Sequence, residues 1–421
     1  MRFTYNTILF LLFFEVIIMK YPLLSKIYYK NREAYGKTYE ERYHSAAAYH
    51  LPITLKAGPA FVLSTMELSQ KIEKLLFNSA KLQTLLKELP SVAIRQFLYS
   101  CIVDEIQQTN EIEGVRSTRR EISQVLQNTD PNKTLRFQGL VKKYDRLMDL
   151  ENEIPLENCQ DIRNLYDEIV LSEVLEEYPE NQPDGKVFRS SPVSVVSGSF
   201  GTHEKELHRG LSSEEEIMST MEAALALLHE EELPELVRIS VFHYLFGYIH
   251  PFYDGNGRMA RFISSYQISS IVQPLIALRL SYTVKNYDRK KYYHAFETCN
   301  DPKNKGDLTP FVLAFLDILL KACQNLMTEL TDIHKKLDFY SEQIYEKFHM
   351  LPAKEQSLLF ILVQNHIFTD ERMTAKELAD AIKKSLPWAQ KRLKQFEEQG
   401  LVTHTRQGHK VVYHIILDAL E

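Results

Sequence analysis

Residues 250 to 261 read His250-Pro251-Phe252-Tyr253-Asp254-Gly255-Asn256-Gly257-Arg258-Met259-Ala260-Arg261 and lie between two segments of helical periodicity, 235 to 248 and about 258 to 272. Two closely spaced glycines permit backbone torsions and close approaches that other residues resist, and an amide-lined turn that opens a helix is a ready anion site. Arg258 and Arg261, three residues apart, share a helix face, so two guanidinium forks can converge on one polyphosphate. Asp254 is a hard oxygen ligand of the kind magnesium takes beside phosphates, and His250 is the one side chain of the stretch that titrates near neutral pH, hence the candidate general base. The bland alternative is a polar turn whose arginines pair with carboxylates and whose histidine lies satisfied at the surface. So many fixed positions at set spacing make the pattern far more specific than a lone G-x-G-x-x-G.

Working outward, apolar spacing predicts an all-helical stretch from 66 to 150, with Ile72, Leu75 and Leu76, then Leu82, Leu85 and Leu86, then Phe97, Ile102 and Ile106. Between 178 and 202 the pattern changes: Pro183-Asp184-Gly185 reads as a turn, and Val187, Val193, Val195 and Val196 with Gly198 and Gly201 read as a short hairpin. Helical periodicity returns at 214 to 228, and the series from Phe311 to Leu320 runs into a long polar-faced helix near 325 to 348. From about 351 the order is a helix at 354 to 364, a segment from Met373 to Ala379, a turn at Ser385-Leu386-Pro387, a helix at 388 to 399 capped by Gly400, and two strands around Gln407-Gly408. That order resembles a winged helix-turn-helix domain. The expected organisation is therefore an N-terminal extension at 1–65, a helical region at 66–150, a catalytic domain at 151–325, a linker helix at 326–350 and the winged unit at 351–421.

Composition bounds the function without naming it. With 421 residues, 44% hydrophobic and 25% charged, the chain is long enough for two or three folded domains. Fifty basic against 56 acidic residues give a formal charge of -6, so nucleic acid would need a local basic patch. Residues 371 to 411 supply one candidate, with Lys383, Lys384, Lys391, Arg392, Lys394, Arg406 and Lys410, although Glu397 and Glu398 sit on the same helix and leave protein docking or dimerisation equally open. The four cysteines, at 101, 159, 299 and 323, are too far apart for a C-x-x-C site and read as buried thiols of a reducing compartment. The apolar run at 8 to 18 is too short to span a bilayer, is interrupted by Glu15, and precedes Met19-Lys20-Tyr21-Pro22. It reads as translated upstream sequence or a mis-called start, with a cytoplasmic location and no membrane partner expected.

The stretch at 250–261 resembles, at every signature position, the His-x-Phe-x-Asp-Gly-Asn-Gly-Arg-x-x-Arg motif of Fic (filamentation induced by cAMP) proteins. The resemblance implies a mainly α fold, with a helical Fic domain, a small β-hairpin flap and, here, a C-terminal winged-helix domain. It implies transfer of AMP from ATP, with Mg2+, to a Ser, Thr or Tyr hydroxyl of a target protein. His250 would deprotonate the hydroxyl, Asp254 would hold magnesium, Gly255, Asn256 and Gly257 would line the phosphates, Arg258 and Arg261 would orient the β- and γ-phosphates, and Phe252 would anchor the loop. Gly257 stands where the phosphorylating Doc branch tends to carry lysine, which favours AMP transfer.

Three further stretches extend the resemblance. Asn300, ending Tyr292-Tyr293-His294-Ala295-Phe296-Glu297-Thr298-Cys299-Asn300, is implied as a nucleotide contact, with a plain helix cap as the alternative. Val193, Ser194, Val195 and Val196 fall where the family has its target-registering flap, although the double proline that often follows it is lacking. Thr109-Asn110-Glu111-Ile112-Glu113-Gly114 resembles the inhibitory (Ser/Thr)-x-x-x-Glu-(Gly/Asn) motif, with Glu113 pairing with Arg261 at the nucleotide site and Thr109, one helical turn earlier, placed to hold the Glu113 carboxylate. Two alternatives stay open: removal of AMP from a modified protein, and a DNA-binding regulator whose Fic unit only senses nucleotide. The expected partners are ATP, a hydroxyl-bearing target protein, DNA through the tail and a second copy of the chain.

Overall fold

The computed structural model describes residues 21–421 apart from 129, 131–132, 149–152, 198–204 and 369–371. The apolar run at 8–18 and the Met19-Lys20 start lie outside the described residues, as do Gly198 and Gly201 of the expected hairpin.

Residues 21–65 are folded, and the hairpin they end in shares the core of the central body. Helices α1 (Leu24–Lys30) and α2 (Arg32–Tyr43) precede an antiparallel hairpin of β1 (Ala48–Leu55) and β2 (Gly58–Leu63). Buried residues alternate along the second half of β1, the period-2 pattern of a strand with one face on the core. Among the contacts that tie residues 21–65 to the rest of the chain, two involve residues 306–308. Phe61 of β2 exchanges backbone hydrogen bonds with Gly306 and Leu308, at 3.0 and 2.9 Å. The buried Asp307 carboxylate accepts from the Tyr21 hydroxyl at 2.7 Å and from Arg42 at 3.1 Å.

The helical stretch follows as α3 (Met66–Lys87), α4 (Ser91–Ile112), α5 (Arg119–Leu126) and α6 (Gln138–Asp145). Thr65 caps α3 by accepting from Leu68 N–H at 3.1 Å. Thr118 and Glu121 form a reciprocal capping box at α5. Helix α4 buries Phe97, Cys101, Ile102, Val103 and Ile106, and each large apolar side chain so buried contributes roughly 1.5–3 kcal/mol.

Next come α7 (Cys159–Ile169) and α8 (Leu171–Glu177), then a two-stranded sheet of β3 (Ser194–Ser197) and β4 (Lys205–Arg209). The hairpin therefore sits further along the chain than its valines suggested. Val187 and Val193 are outside both strands, because the 3-10 turn at Pro179–Asn181 and the backbone amides of 186–188, which donate to the Glu214 carboxylate, hold that segment as an irregular loop. Helices α9 (Glu214–Ala226), α10 (Glu235–Ile249), α11 (Asn256–Ser269), α12 (Pro274–Ala277), α13 (Leu280–Thr283) and α14 (Arg289–Asn300) complete the central body.

Helix α15 (Thr309–Phe348) is continuous for 40 residues and runs through the expected boundary at 325. Its first half is buried on several sides. Its second half buries a single stripe of Leu326, Leu330, Ile333, Leu337, Tyr340 and Ile344, at alternating four- and three-residue spacing. By length and composition α15 is apolar enough to cross a membrane, yet 61% of its apolar window is buried inside the fold. Beyond it lie α16 (Ala353–Phe368), β5 (Met373–Thr374), α17 (Ala375–Ala381), α18 (Leu386–Glu398), β6 (Val402–Gln407) and β7 (Lys410–Ile415). The last three strands make one sheet in the order β5-β7-β6.

Two hydrophobic cores result, one running from Leu51 to Phe368 and one from Tyr340 to Leu420. Helix α16 contributes to both: Phe368 belongs to the first core, its ring edge to face with Phe97 at 6.3 Å, while Leu358, Leu359, Leu362 and Val363 belong to the second. All four cysteines are buried and unpaired. The protein is mainly helical with small β-hairpins.

Candidate functional site

Helix α10 is buried along nearly its whole length and carries the loop into the interior. It ends at His250, which adopts the left-handed conformation (φ 53, ψ 63) and still donates its N–H to Phe246 O at 2.9 Å. A non-glycine residue held there is strained, and such strain persists only where surrounding contacts enforce it. Arg189 supplies them. Its guanidinium, 0% exposed, donates to the carbonyls of His250 at 2.8 Å, Leu211 at 2.8 Å and Ser191 at 2.5 Å, and its own N–H donates to Pro251 O at 3.1 Å. Gly210 is needed for this clasp, since a β-carbon there would lie 2.5 Å from the Arg189 fork and 3.0 Å from the His250 β-carbon.

Phe252 anchors the loop, fully buried, stacked on Tyr166 at 3.7 Å and edge-on to Phe188 at 5.5 Å. The Asn256 carboxamide closes it from the other side, accepting from Phe252 N–H at 2.9 Å and donating to Phe252 O at 2.7 Å. This gives Asn256 a structural role beside the one expected of it. Its side chain, 2% exposed, is fully engaged in bracing the loop, and only its backbone N–H is left for a phosphate. Gly255 caps α11 at φ 79, where a β-carbon would also strike Val170 at 2.3 Å. Helix α11 therefore begins with backbone N–H groups that lack intrahelical partners, at the positive end of the helix dipole. Asp254 is half-buried beside them, one oxygen accepting from Gly255 N–H.

Burial lowers the His250 pKa to about 4, reinforced by His208 and Arg189 and opposed by Glu113 and a hydrogen bond with the Gly247 backbone. The imidazole is thus neutral at pH 7, the form a general base requires. His208 belongs to β4, and its Nε2 lies 2.6 Å from Tyr248 O, so the hairpin reaches the histidine's surroundings.

Arg261 is 1% exposed and gripped by one helix turn. Its Nε donates to Thr109 Oγ1 at 2.8 Å, and its NH2 donates to Thr109 O at 3.1 Å and to Glu113 Oε1 at 2.7 Å. Burial works against the charge, but the Glu113 carboxylate holds the Arg261 pKa above the ordinary arginine value. Thr109 thereby departs from expectation. Its hydroxyl faces the guanidinium rather than the Glu113 carboxylate, because a buried cation with an unfilled N–H is the stronger claim on an oxygen lone pair. Glu113 caps α4, Gly114 follows at φ 80, and Val115 N–H returns to Asn110 O at 2.9 Å, a Schellman-type ending that fixes where the carboxylate emerges. That carboxylate lies directly over the start of α11, since a β-carbon on Gly257 would be 2.0 Å from Glu113 Oε1.

Further carboxylates lock α4 in place. Buried Glu105 accepts from the N–H groups of Ser281 at 2.8 Å and Tyr282 at 3.1 Å, opposite α13. Asp104 pairs with Arg279 at 3.1 Å, and Glu111 with Lys285 at 3.2 Å. Arg258, also 1% exposed, faces a different carboxylate, Glu173 of α8, at 3.9 Å.

The remaining expected residues are placed as follows. Asn300 ends α14, and its Oδ1 accepts from the Tyr244 hydroxyl at 2.7 Å. Ser194, Val195 and Val196 lie on β3, paired to Arg209, His208 and Glu206, while Val193 stands just before it and its carbonyl accepts from Gly210 N–H at 3.0 Å. Sequence reasoning missed Arg189, Glu173, His208 and Tyr244. No local spacing marks them, since each reaches the site from a separate element.

Comparison with known proteins places this geometry. Residues 157–268 match the Fic/DOC family. The protein adenylyltransferase Fic of Drosophila virilis and that of Drosophila melanogaster are each 26% identical to the chain over 121 residues, 29% of this chain and 23% of theirs. The match thus spans about a quarter of the length of those curated relatives. A crystal structure of a Fic family protein from Desulfovibrio desulfuricans G20 is similar over 87% of this chain and 98% of its own, with a TM-score of 0.50 at 18% identity, a likeness of fold. The match to the Fic/DOC family at residues 157–268 therefore covers α7 to α10, the loop at 250–261 and all but the last residue of α11.

Proposed function

We propose that the protein transfers AMP from ATP to a hydroxyl side chain of a target protein and that Glu113 restrains the transfer. The observation that carries this reading is the loop at 250–261 as folded. One turn presents a neutral imidazole, a helix start with unpaired N–H groups, and two buried guanidiniums. His250 takes the proton of the attacking hydroxyl, whose oxygen forms a bond to the α-phosphorus as the bond to the β-phosphate oxygen breaks. Arg258 and Arg261 balance the charge of the departing pyrophosphate. Asp254 fits magnesium only as a single carboxylate beside phosphate oxygens, because among the described residues no group of three His, Cys, Asp or Glu could hold a metal. When bound, magnesium would neutralise phosphate charge. The target segment docks on the open edge of the β3–β4 pair by strand addition, and Asn300 contacts the nucleotide.

Glu113 restrains the site by lying where the γ-phosphate would meet Arg261. The same carboxylate acts electrostatically on His250, which favours, as a second reading, orientation of a water for removal of AMP from a modified protein. Residues 351–421 serve as a winged helix-turn-helix unit that docks DNA. Its support is the element order and the exposed Lys383, Lys384, Lys391 and Lys394 on and before α18. Incubation of wild type and His250→Ala with α-labelled ATP and target-containing lysate tests the transfer. Labelling should vanish in the variant while ATP binding stays nearly intact, and undiminished labelling would remove His250 as the base.

A further inference from the structure

Arg258 and Arg261 leave α11 one turn apart, both buried, yet their carboxylates stand at different distances. Glu113 touches Arg261 at 2.7 Å and occupies its donors. Glu173 stands 3.9 Å from Arg258, outside hydrogen-bond reach. Among the described residues Arg258 Nε and NH1 have no hydrogen-bond partner, and neither does Glu173 Oε2. Buried charged donors without partners are rare in folded proteins and call for a ligand or a functional reason.

Glu173 is itself held firmly. Its Oε1 accepts from Phe137 N–H at 3.1 Å and lies 3.3 Å from the Ser172 hydroxyl. Phe137 is fully buried and left-handed (φ 63, ψ 11), a conformation a bulky residue rarely takes, and it turns its N–H onto the carboxylate. The neighbouring Arg136 pairs with Glu177, one turn further along α8, and lies 4.3 Å over the Phe137 ring. Burial pushes the Glu173 carboxyl up, and Arg258 and the Phe137 N–H pull it down.

We propose that Glu173 is a positioning residue for Arg258: it balances the buried guanidinium from a distance that leaves the Nε and NH1 donors without a fixed partner, so that the fork can turn onto an entering phosphate. The proposal rests on the transfer reading, in which Arg258 meets the β-phosphate. The N-terminal helical region then plays two roles at one site, blocking Arg261 through Glu113 and supporting Arg258 through the bracket at Phe137.

The test uses the full chain in the Glu113→Gly background, with Mg2+-ATP titrations, self-labelling kinetics and thermal melts. Glu173→Gln keeps the acceptor for Phe137 and removes the charge. It should lower kcat by about ten- to a hundred-fold, since the departing pyrophosphate gains charge in the transition state, and weaken ATP binding only about three-fold, with a lowered melting temperature from the uncompensated guanidinium but a chain still folded at the assay temperature. Glu173→Asp keeps the charge and should retain more kcat than Glu173→Gln, the reverse of the order a purely structural bracket gives. In an Arg258→Ala chain Glu173→Gln should cost nothing further. An unchanged kcat in Glu173→Gln, or a loss that adds in full to that of Arg258→Ala, overturns the proposal. If the Glu113→Gly parent labels nothing, the transfer reading fails instead, and Glu173 is judged on the ATP titration alone, where unchanged affinity in Glu173→Gln overturns it.

Discussion

Glu113 Oε1 lies 2.7 Å from the Arg261 guanidinium and stands where a β-carbon on Gly257 would be only 2.0 Å away, so one carboxylate covers both the cation and the open helix start. In the proposed transfer an incoming γ-phosphate would need those same donors, and only one anion can hold them.

Removing that carboxylate should release activity. A buried charge-assisted pair is worth roughly 1.5–3 kcal/mol, so Glu113→Gly should raise labelling about ten- to a hundred-fold. Arg261→Ala in the same chain should abolish the gain, with strong non-additivity, because both residues act through one partner. Equal labelling by wild type and Glu113→Gly, measured with several nucleotides, would contradict the inhibitory role.

Thr109 should behave differently from Glu113, although both bind Arg261. Its hydroxyl accepts from Nε, so Thr109→Val leaves a buried cationic donor unpaired, at a cost of about 1–3 kcal/mol. Chemical denaturation should show that loss, and adding Thr109→Val to Glu113→Gly should lower labelling rather than raise it.

The pH profile follows from burial of two histidines. His250, drawn down to about 4, should give kcat/KM an acid limb near pH 4 rather than 6.5, with activity flat from neutral pH to about 5. His243, fully buried between Ser264 and Tyr292, is drawn down to about 3. For both, the unfolded chain binds more protons between the folded pKa and about 6.5, so stability is fully present above pH 6.5 and falls as the pH drops through that window. Melting temperatures from pH 7 to 4 check the sign.

Gly255→Ala tests the loop geometry. The left-handed φ of 79 and the approach of Val170 to 2.3 Å both oppose a β-carbon, so stability should fall by more than about 1 kcal/mol and activity with it. Adding Val170→Ala should relieve the clash but not the backbone strain, giving partial recovery in a thermal melt.

In the C-terminal unit, Lys391→Glu should weaken DNA binding, and binding should fall steeply with salt. Arg392 is not part of that surface, because its Nε pairs with buried Glu355 at 2.9 Å, so Arg392→Glu should lower stability instead. Salt-insensitive or absent binding in a gel-shift assay would leave protein docking as the role of this unit.

The sequence by itself determined the loop, because its chemistry is local: glycines, arginines and histidine at fixed spacing within twelve residues define a turn, a helix start and a charge pattern wherever they fold. It likewise marked Thr109 and Glu113, one helical turn apart, and the helical periods around them. Tertiary structure alone decided which oxygen meets which guanidinium. It turned Thr109 toward Arg261, engaged the Asn256 side chain in the loop itself, and brought Arg189 and Glu173 to the site from segments 60 to 85 residues away. Those choices depend on distances between elements remote in the chain and on which donors burial leaves unpaired, and neither is written in local spacing. The seam from Phe61 to Gly306 and Leu308 and the clasp at Arg189 were illegible for the same reason: their backbone partners belong to other segments.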